Sequence, residues 1–280
     1  MILNSLRPVL CTFMVWLAFP LFGFGQNEPK LSEEEMKHFL LTANVVASKI
    51  TPKGITSPQR LTLNDGKITH DGGFQTIDDF KNRQEFPDGH VELNFRDSYK
   101  CNLAAYELAK LLGLGDMMPV TVERRWAGKT GSLTWWLPAV MDLVEMNKKK
   151  LKPPDVDAYN RQMYKKRVFS ELVYDTDPNL TNILVSADWH LWMIDFTRAF
   201  RPYRELHSPE TITTSKCERQ LLERLRKLTR NEVAEKVQAY LKKDDIDGIM
   251  ARRDKIVKIF EGLIAKKGES AVLYDDPVVR

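Results

Sequence analysis

One stretch constrains the fold of this chain more than any other. Residues 174–196 read Tyr-Asp-Thr-Asp-Pro-Asn-Leu-Thr-Asn-Ile-Leu-Val-Ser-Ala-Asp-Trp-His-Leu-Trp-Met-Ile-Asp-Phe. Asp177 and Asn182 stand five apart. Two short apolar runs follow, 182–185 and 191–194, joined by a polar turn at 186–189, and they read as a hairpin that delivers Asp195. A loop ending in Asn, followed by a hairpin ending in Asp, carries two hard oxygen ligands to one edge and leaves Asp177 facing outward. That is the donor set for a divalent cation beside a proton acceptor. Asp-Pro-Asn alone is an ordinary turn, and an Asp at a strand end is an ordinary loop cap. The joint spacing sets this segment apart, with a long helix before it and an apolar strand leading to Asp195.

The surrounding order of elements fits such a loop. Residues 26–37 are polar and acidic, and 39–50 form a short apolar helix candidate. Runs 60–63 and 67–70 flank Asn64-Asp65-Gly66, a strong hairpin signal, and 72–77 continue as strand. Ser98 opens a helix to about Leu112, its stripe of Cys101, Ala104, Ala105, Leu108, Leu111 and Leu112 keeping helical spacing before Gly113. Residues 119–126 and 131–138 read as strands. A lysine-rich loop, 148–154, follows a hinge, and 157–173 is a helix. From Lys216 the pattern is helical until Gly268. The expectation is an α+β bilobal chain: a β-rich N-lobe with one inserted helix, then a mainly helical C-lobe.

The N-terminal segment is of another kind. Residues 8–27 carry no charge, Arg7 precedes them, and Gly23-Phe24-Gly25 places small residues at the positions a signal peptidase reads. A cleaved secretory signal is expected over 1–25, a retained signal anchor being the alternative. The chain is then exported (periplasmic, secreted or in the secretory pathway) and keeps no stable membrane span. The expected divisions are 1–25 signal, 26–50 helix and linker, 51–145 N-lobe and 146–280 C-lobe.

Other chemistries find less support. A formal charge of +4 over 280 residues, with no Lys/Arg run interleaved with aromatics, argues against a nucleic-acid role. Cys101 and Cys217 remain after cleavage, too far apart to form a framework, and no CxxC or histidine pair suggests a thiolate metal site. His38, His70, His90, His190 and His207 are scattered without metal spacing. Ser132 sits in no nucleophile elbow. Arg198 and Arg201, just after Asp195, are candidates either for phosphate contact or for ion pairs with the acids of 171–177.

The 174–196 segment resembles the atypical kinases around the Fam20 secreted kinases, the HipA kinases and the phosphatidylinositol 3- and 4-kinases. These lack His-Arg-Asp but keep an Asp-x-x-x-x-Asn loop and an Ile-Asp-Phe or Ile-Asp-His metal site. Ala104-Ala105-Tyr106 through Gly113, followed by Val120-Thr121-Val122, resembles the helix-to-strand passage of their N-lobe. The resemblance spans about 54–201. It implies a bilobal protein-kinase-like fold that uses ATP with Mg²⁺ or Mn²⁺ and transfers the γ-phosphate to a hydroxyl-bearing substrate, whether protein, lipid or small molecule. Asp177 would be the catalytic base, Asn182 and Asp195 the metal ligands, and Asp175 and Asn179 loop supports.

The N-lobe departs from that pattern. The strand position for a phosphate-holding Lys is Gln75, and the helix position for its Glu partner is Asn102, so a neutral pair replaces an ion pair. Lys100 or Lys53 is a candidate substitute for the lost cation, and Gly54, in Lys53-Gly54-Ile55-Thr56-Ser57, is the candidate for backbone contact with the phosphates. An active phosphotransferase and an exported pseudokinase that binds a nucleotide or a protein partner both stay open on these residues.

Overall fold

The computed structural model describes residues 31–51, 58–137 and 140–276. The expected signal segment, Lys53 and Gly54 lie outside the described residues. From Ser32 onward the chain forms one unit.

Ser32 opens the first helix with a capping box. Its Oγ accepts from Glu35 N at 3.3 Å, and the Glu35 carboxylate takes the Ser32 N–H at 2.7 Å, which satisfies two otherwise orphaned donors of α1 (Glu33–Thr42). The helix expected to run to Ile50 stops at Thr42. Arg124 donates to Leu40 O and Ala43 O at 2.6 Å each and ties off the last turn. Val45 and Val46, stiff at χ1, then enter β1 (Asn44–Ile50) rather than another helical turn.

β2 (Gln59–Asn64) and β3 (Thr69–Gln75) form the expected hairpin. At its tip Asp65 Oδ1 accepts from Lys67 N and Ile68 N at 2.8 and 2.9 Å, and Gly66 takes a φ of +90°. β4 (Asp78–Glu85) and β5 (Val91–Ser98) pair as a separate antiparallel ribbon. Next come α2 (Tyr99–Leu111), a 3₁₀ turn at Gly115–Met117, β6 (Thr121–Trp126) and β7 (Lys129–Trp135). Among the described residues the N-lobe sheet has the order β1-β2-β3-β7-β6. Its inner face buries Leu61, Leu63, Phe74 and Leu133, and α2 lies on β6 and β7 with Ala104, Ala105 and Leu108 fully buried. Each large apolar side chain so buried contributes about 1.5–3 kcal/mol.

The C-lobe starts with β8 (Met141–Asp142), α3 (Leu143–Lys148) and α4 (Val156–Val173). β9 (Ile183–Val185) pairs with β10 (Leu191–Met193) on one side and β8 on the other. The helical expectation from Lys216 to Gly268 is met apart from a short strand at its start and the joints between helices. The elements from Glu210 on are α5 (Glu210–Thr213), β11 (Cys217–Glu218), α6 (Arg219–Lys227), α7 (Arg230–Val237), α8 (Lys243–Lys267), α9 (Glu269–Val272) and β12 (Leu273–Tyr274), with β11 parallel to β12. α8 ends at Gly268, whose φ of +82° continues no helix.

Candidate active site

α4 delivers the chain to the site. It ends at Tyr174 in the left-handed region, φ +53°, and Val173 O accepts from Phe200 N at 2.6 Å. The next turn is built from its own side chains. Asp175, buried, accepts from Asp177 N at 3.1 Å, and Ser170 Oγ approaches its other oxygen at 3.4 Å. Asn179 donates to Asp177 Oδ1 at 3.1 Å while its own Oδ1 accepts from Thr181 N at 2.8 Å. Asn182 Nδ2 reaches back to Asp177 O at 3.2 Å, and Ile194 N donates to Asn182 O at 3.0 Å. Asp177, Asn182 and the strand end before Asp195 therefore form one hydrogen-bonded group. Burial pushes the Asp175 carboxyl above its ordinary range, with Lys166 opposing it across the helix end.

Asp195 takes a φ of +57° at the end of the hairpin, a conformation Asp tolerates better than most side chains. Gln75 and Thr197 hydrogen-bond its carboxyl, yet Oδ1 is sealed from solvent without a partner. Burial raises its pKa first, and the Asp97 carboxylate adds to the rise. Asn102, on α2, links three elements. Its Nδ2 donates to Gln75 Oε1 at 2.5 Å and to Ser132 Oγ at 3.3 Å, and its Oδ1 accepts from Phe196 N at 2.7 Å. Phe196 in turn packs edge-on against Phe169 of α4, 5.3 Å between centroids. The neutral Gln75–Asn102 pair thus meets the Asp195 turn through hydrogen bonds alone.

The structure brings Gln75, Asn102 and Asp195 together, and Asp177 and Asn182 into their own group. Lys100 points elsewhere: its Nζ lies 2.8 Å from Asp78, an ion pair that must open before the amine meets a phosphate. Arg198 and Arg201 do not pair with the acids of 171–177. Both engage Glu92 on the ribbon, Arg201 at 3.5 Å and fully buried, so no acid of 171–177 is their ion-pair partner. Sequence reasoning missed Asp97. It precedes the Ser98 N-cap and reads as part of a helix start, a signal that hides a second carboxylate close to Asp195.

Among the described residues no three His, Cys, Asp or Glu side chains gather as a metal cage. A Mg²⁺-type site needs none, since one or two carboxylates and phosphate oxygens serve it. The orphaned, sealed Asp195 Oδ1 fits such an ion.

No protein-family model matches the chain, and no curated protein matches it by sequence. Solved structures do. A hydra Fam20 structure with sugar superposes with a TM-score of 0.66 at 13% identity, over 88% of this chain and 93% of its own. The Golgi casein kinase with Mn/ADP bound gives 0.61 at 14% identity, over 88% and 80%. The Helicobacter pylori proinflammatory kinase CtkA gives 0.52 at 9%, over 84% and 98%. With the two lobes, the Asp177–Asn182 loop and the Asp195 turn in place, the chain has the bilobal fold of the atypical kinases.

Proposed function

We propose that this chain is an atypical kinase-like phosphotransferase that moves the ATP γ-phosphate to a hydroxyl acceptor, with a divalent cation, in an exported setting inferred from residues 1–25. The observation that carries the reading is the buried Asp195 Oδ1, left without a partner at the end of the hairpin that also fixes Asn182. Asn182 and Asp195 would hold Mg²⁺ or Mn²⁺, which when bound neutralises charge on the transferred phosphoryl group. Asp177 is the proton acceptor. Asn179 holds its Oδ1 at 3.1 Å, while the Asp175 carboxylate and Asn182 amide fix its backbone on both sides. Its Oδ2 has no hydrogen-bond partner among the described residues and is left to take the acceptor's proton.

The uncharged Gln75–Asn102 pair favours a second reading, a pseudokinase that binds nucleotide without turnover. Melting of the purified chain with ATP and Mg²⁺ or Mn²⁺, beside Asp195→Ala and an assay of γ-phosphate release, decides between them. A ligand at a hundred times its Kd adds about 2.7 kcal/mol of stability, a shift of several degrees. The expected outcome is a shift with turnover, both lost in Asp195→Ala. A shift without turnover establishes the pseudokinase, and no shift at all overturns the nucleotide site.

A further inference from the structure

Two carboxyl oxygens beside this site have no explanation in the protein alone. Asp97 Oδ1 and Asp195 Oδ1 are each closed off from solvent and lack a hydrogen-bond partner. They belong to distant parts of the chain, the end of β5 and the turn after β10. Hydrogen bonds bring these parts together. Ser98 N, next to Asp97, donates to Thr197 O at 2.9 Å, and Phe196 N, next to Asp195, donates to Asn102 Oδ1 at 2.7 Å.

Among the described residues neither Asp97 nor Asp195 takes part in a salt bridge. The groups around Asp195 are an amide, Gln75, and a hydroxyl, Thr197. The basic side chains nearest in the chain are engaged elsewhere: Arg96 on Asp245 at 2.8 Å, Lys100 on Asp78 at 2.8 Å, and Arg198 on Glu92. Sealing carboxylate oxygens without a cation is unfavourable, and a hard divalent ion held between the two would satisfy both. Asn102 brings only a neutral amide where the resemblance calls for glutamate. Asp97, five residues earlier, stands close enough to Asp195 for its charge to be felt there.

We propose that Asp97 is a ligand of the divalent-cation site, supplying a second carboxylate beside Asp195. The proposal rests on the metal-dependent reading above and extends it to a residue outside the Asp177–Asp195 segment. The chemistry it adds is local. With Asp97 as a ligand the site carries two negative charges from the protein.

The test is Mn²⁺ titration of the purified chain followed by the electron paramagnetic resonance signal of free Mn²⁺, with and without ADP. Asp97→Asn, Asp97→Glu and Asp195→Asn are compared. Asp97→Asn should weaken Mn²⁺ binding about tenfold or more, because affinity for such ions follows the charge count of the ligands. Asp97→Glu should recover part of it, and Asp195→Asn should abolish it. Without metal, Asp97→Asn should melt at or above the temperature of the parent chain, since one of two repelling charges is gone. That second readout separates lost ligation from lost folding. Binding by Asp97→Asn within about twofold of the parent, with Asp195→Asn inactive in binding, overturns the role of Asp97 and leaves the site reading intact. Absence of Mn²⁺ uptake by the parent chain, with or without ADP, overturns both.

Discussion

Asp175 is a carboxylate held almost out of water, and its Oδ1 accepts the N–H of Asp177 at 3.1 Å. Burial raises its pKa above 3.8, and Lys166, itself buried and lowered in pKa by the same desolvation, is the opposing charge. The sign of the stability effect follows from that rise. The folded protein holds the Asp175 proton to higher pH than the unfolded chain does. Its contribution is therefore full below pH 3.8 and is lost as pH rises through the folded value. Asp175→Asn carries no such dependence. Relative to it, the parent chain should lose stability as pH rises above the ordinary Asp range, read as the difference in urea midpoints; a constant difference on raising the pH would remove the carboxylate from the account. At this scale much of the site is legible in sequence, because Asp177, Asn182 and Asp195 lie in one continuous segment whose spacing fixes their relations. Asp97 is not legible. The contact next to it, Ser98 N to Thr197 O, is made far along the chain, while Ser98 also carries the local capping signal by accepting from Lys100 N at 3.3 Å.

The elements that sequence reasoning finds are those whose apolar residues keep a period. The turn at Asn64-Asp65-Gly66, the Ser98-capped α2 and the long α4 all announce themselves this way. The β4–β5 ribbon does not. Asp78-Asp-Phe-Lys-Asn-Arg-Gln-Glu85 is largely exposed and carries no apolar alternation, so its pairing rests on backbone bonds and on what its strands reach. What β5 reaches is the C-lobe. Arg96 donates to both oxygens of Asp245 on α8, at 3.0 and 2.8 Å, and to Phe200 O, with both side chains nearly excluded from solvent. Breaking a buried pair leaves one uncompensated charge, so Arg96→Met should cost about 3–5 kcal/mol in urea unfolding. The double variant Arg96→Met/Asp245→Leu should be more stable than the sum of the single losses implies, by about 1–3 kcal/mol of coupling. Simple additivity would mean that the ribbon is anchored by its backbone and not by this pair.

Across the whole molecule the two lobes share one apolar core. Residues from Phe39 and Leu61 to Phe260 and Leu273 belong to a single contiguous cluster, and α2 of the N-lobe touches α7 of the C-lobe. Polar ties cross at the same level: Arg96 to Asp245, Asn102 to Phe196 N, Ser98 N to Thr197 O. The two thiols among the described residues report on whether these ties make one cooperative unit. Cys101 lies on α2 at the lobe junction, its Sγ 3.5 Å from Ala199 O, and Cys217 lies in β11 inside the C-lobe. Both are unpaired and about 1% exposed, and burial pushes each thiol up to about 12. The thiolate is the reactive form, so neither should be alkylated in the native protein at pH 8. Above the unfolding midpoint both should react. A core that spans both lobes predicts that the two residues become reactive at the same urea concentration, read residue by residue from peptide masses after brief alkylation. Earlier labelling of Cys101 would mean that the N-lobe lets go first, and then the carboxylates of Asp97 and Asp195 part before the C-lobe unfolds. In that case added Mn²⁺ should delay Cys101 more than Cys217, because an ion bound between the lobes stabilises only the state in which they meet.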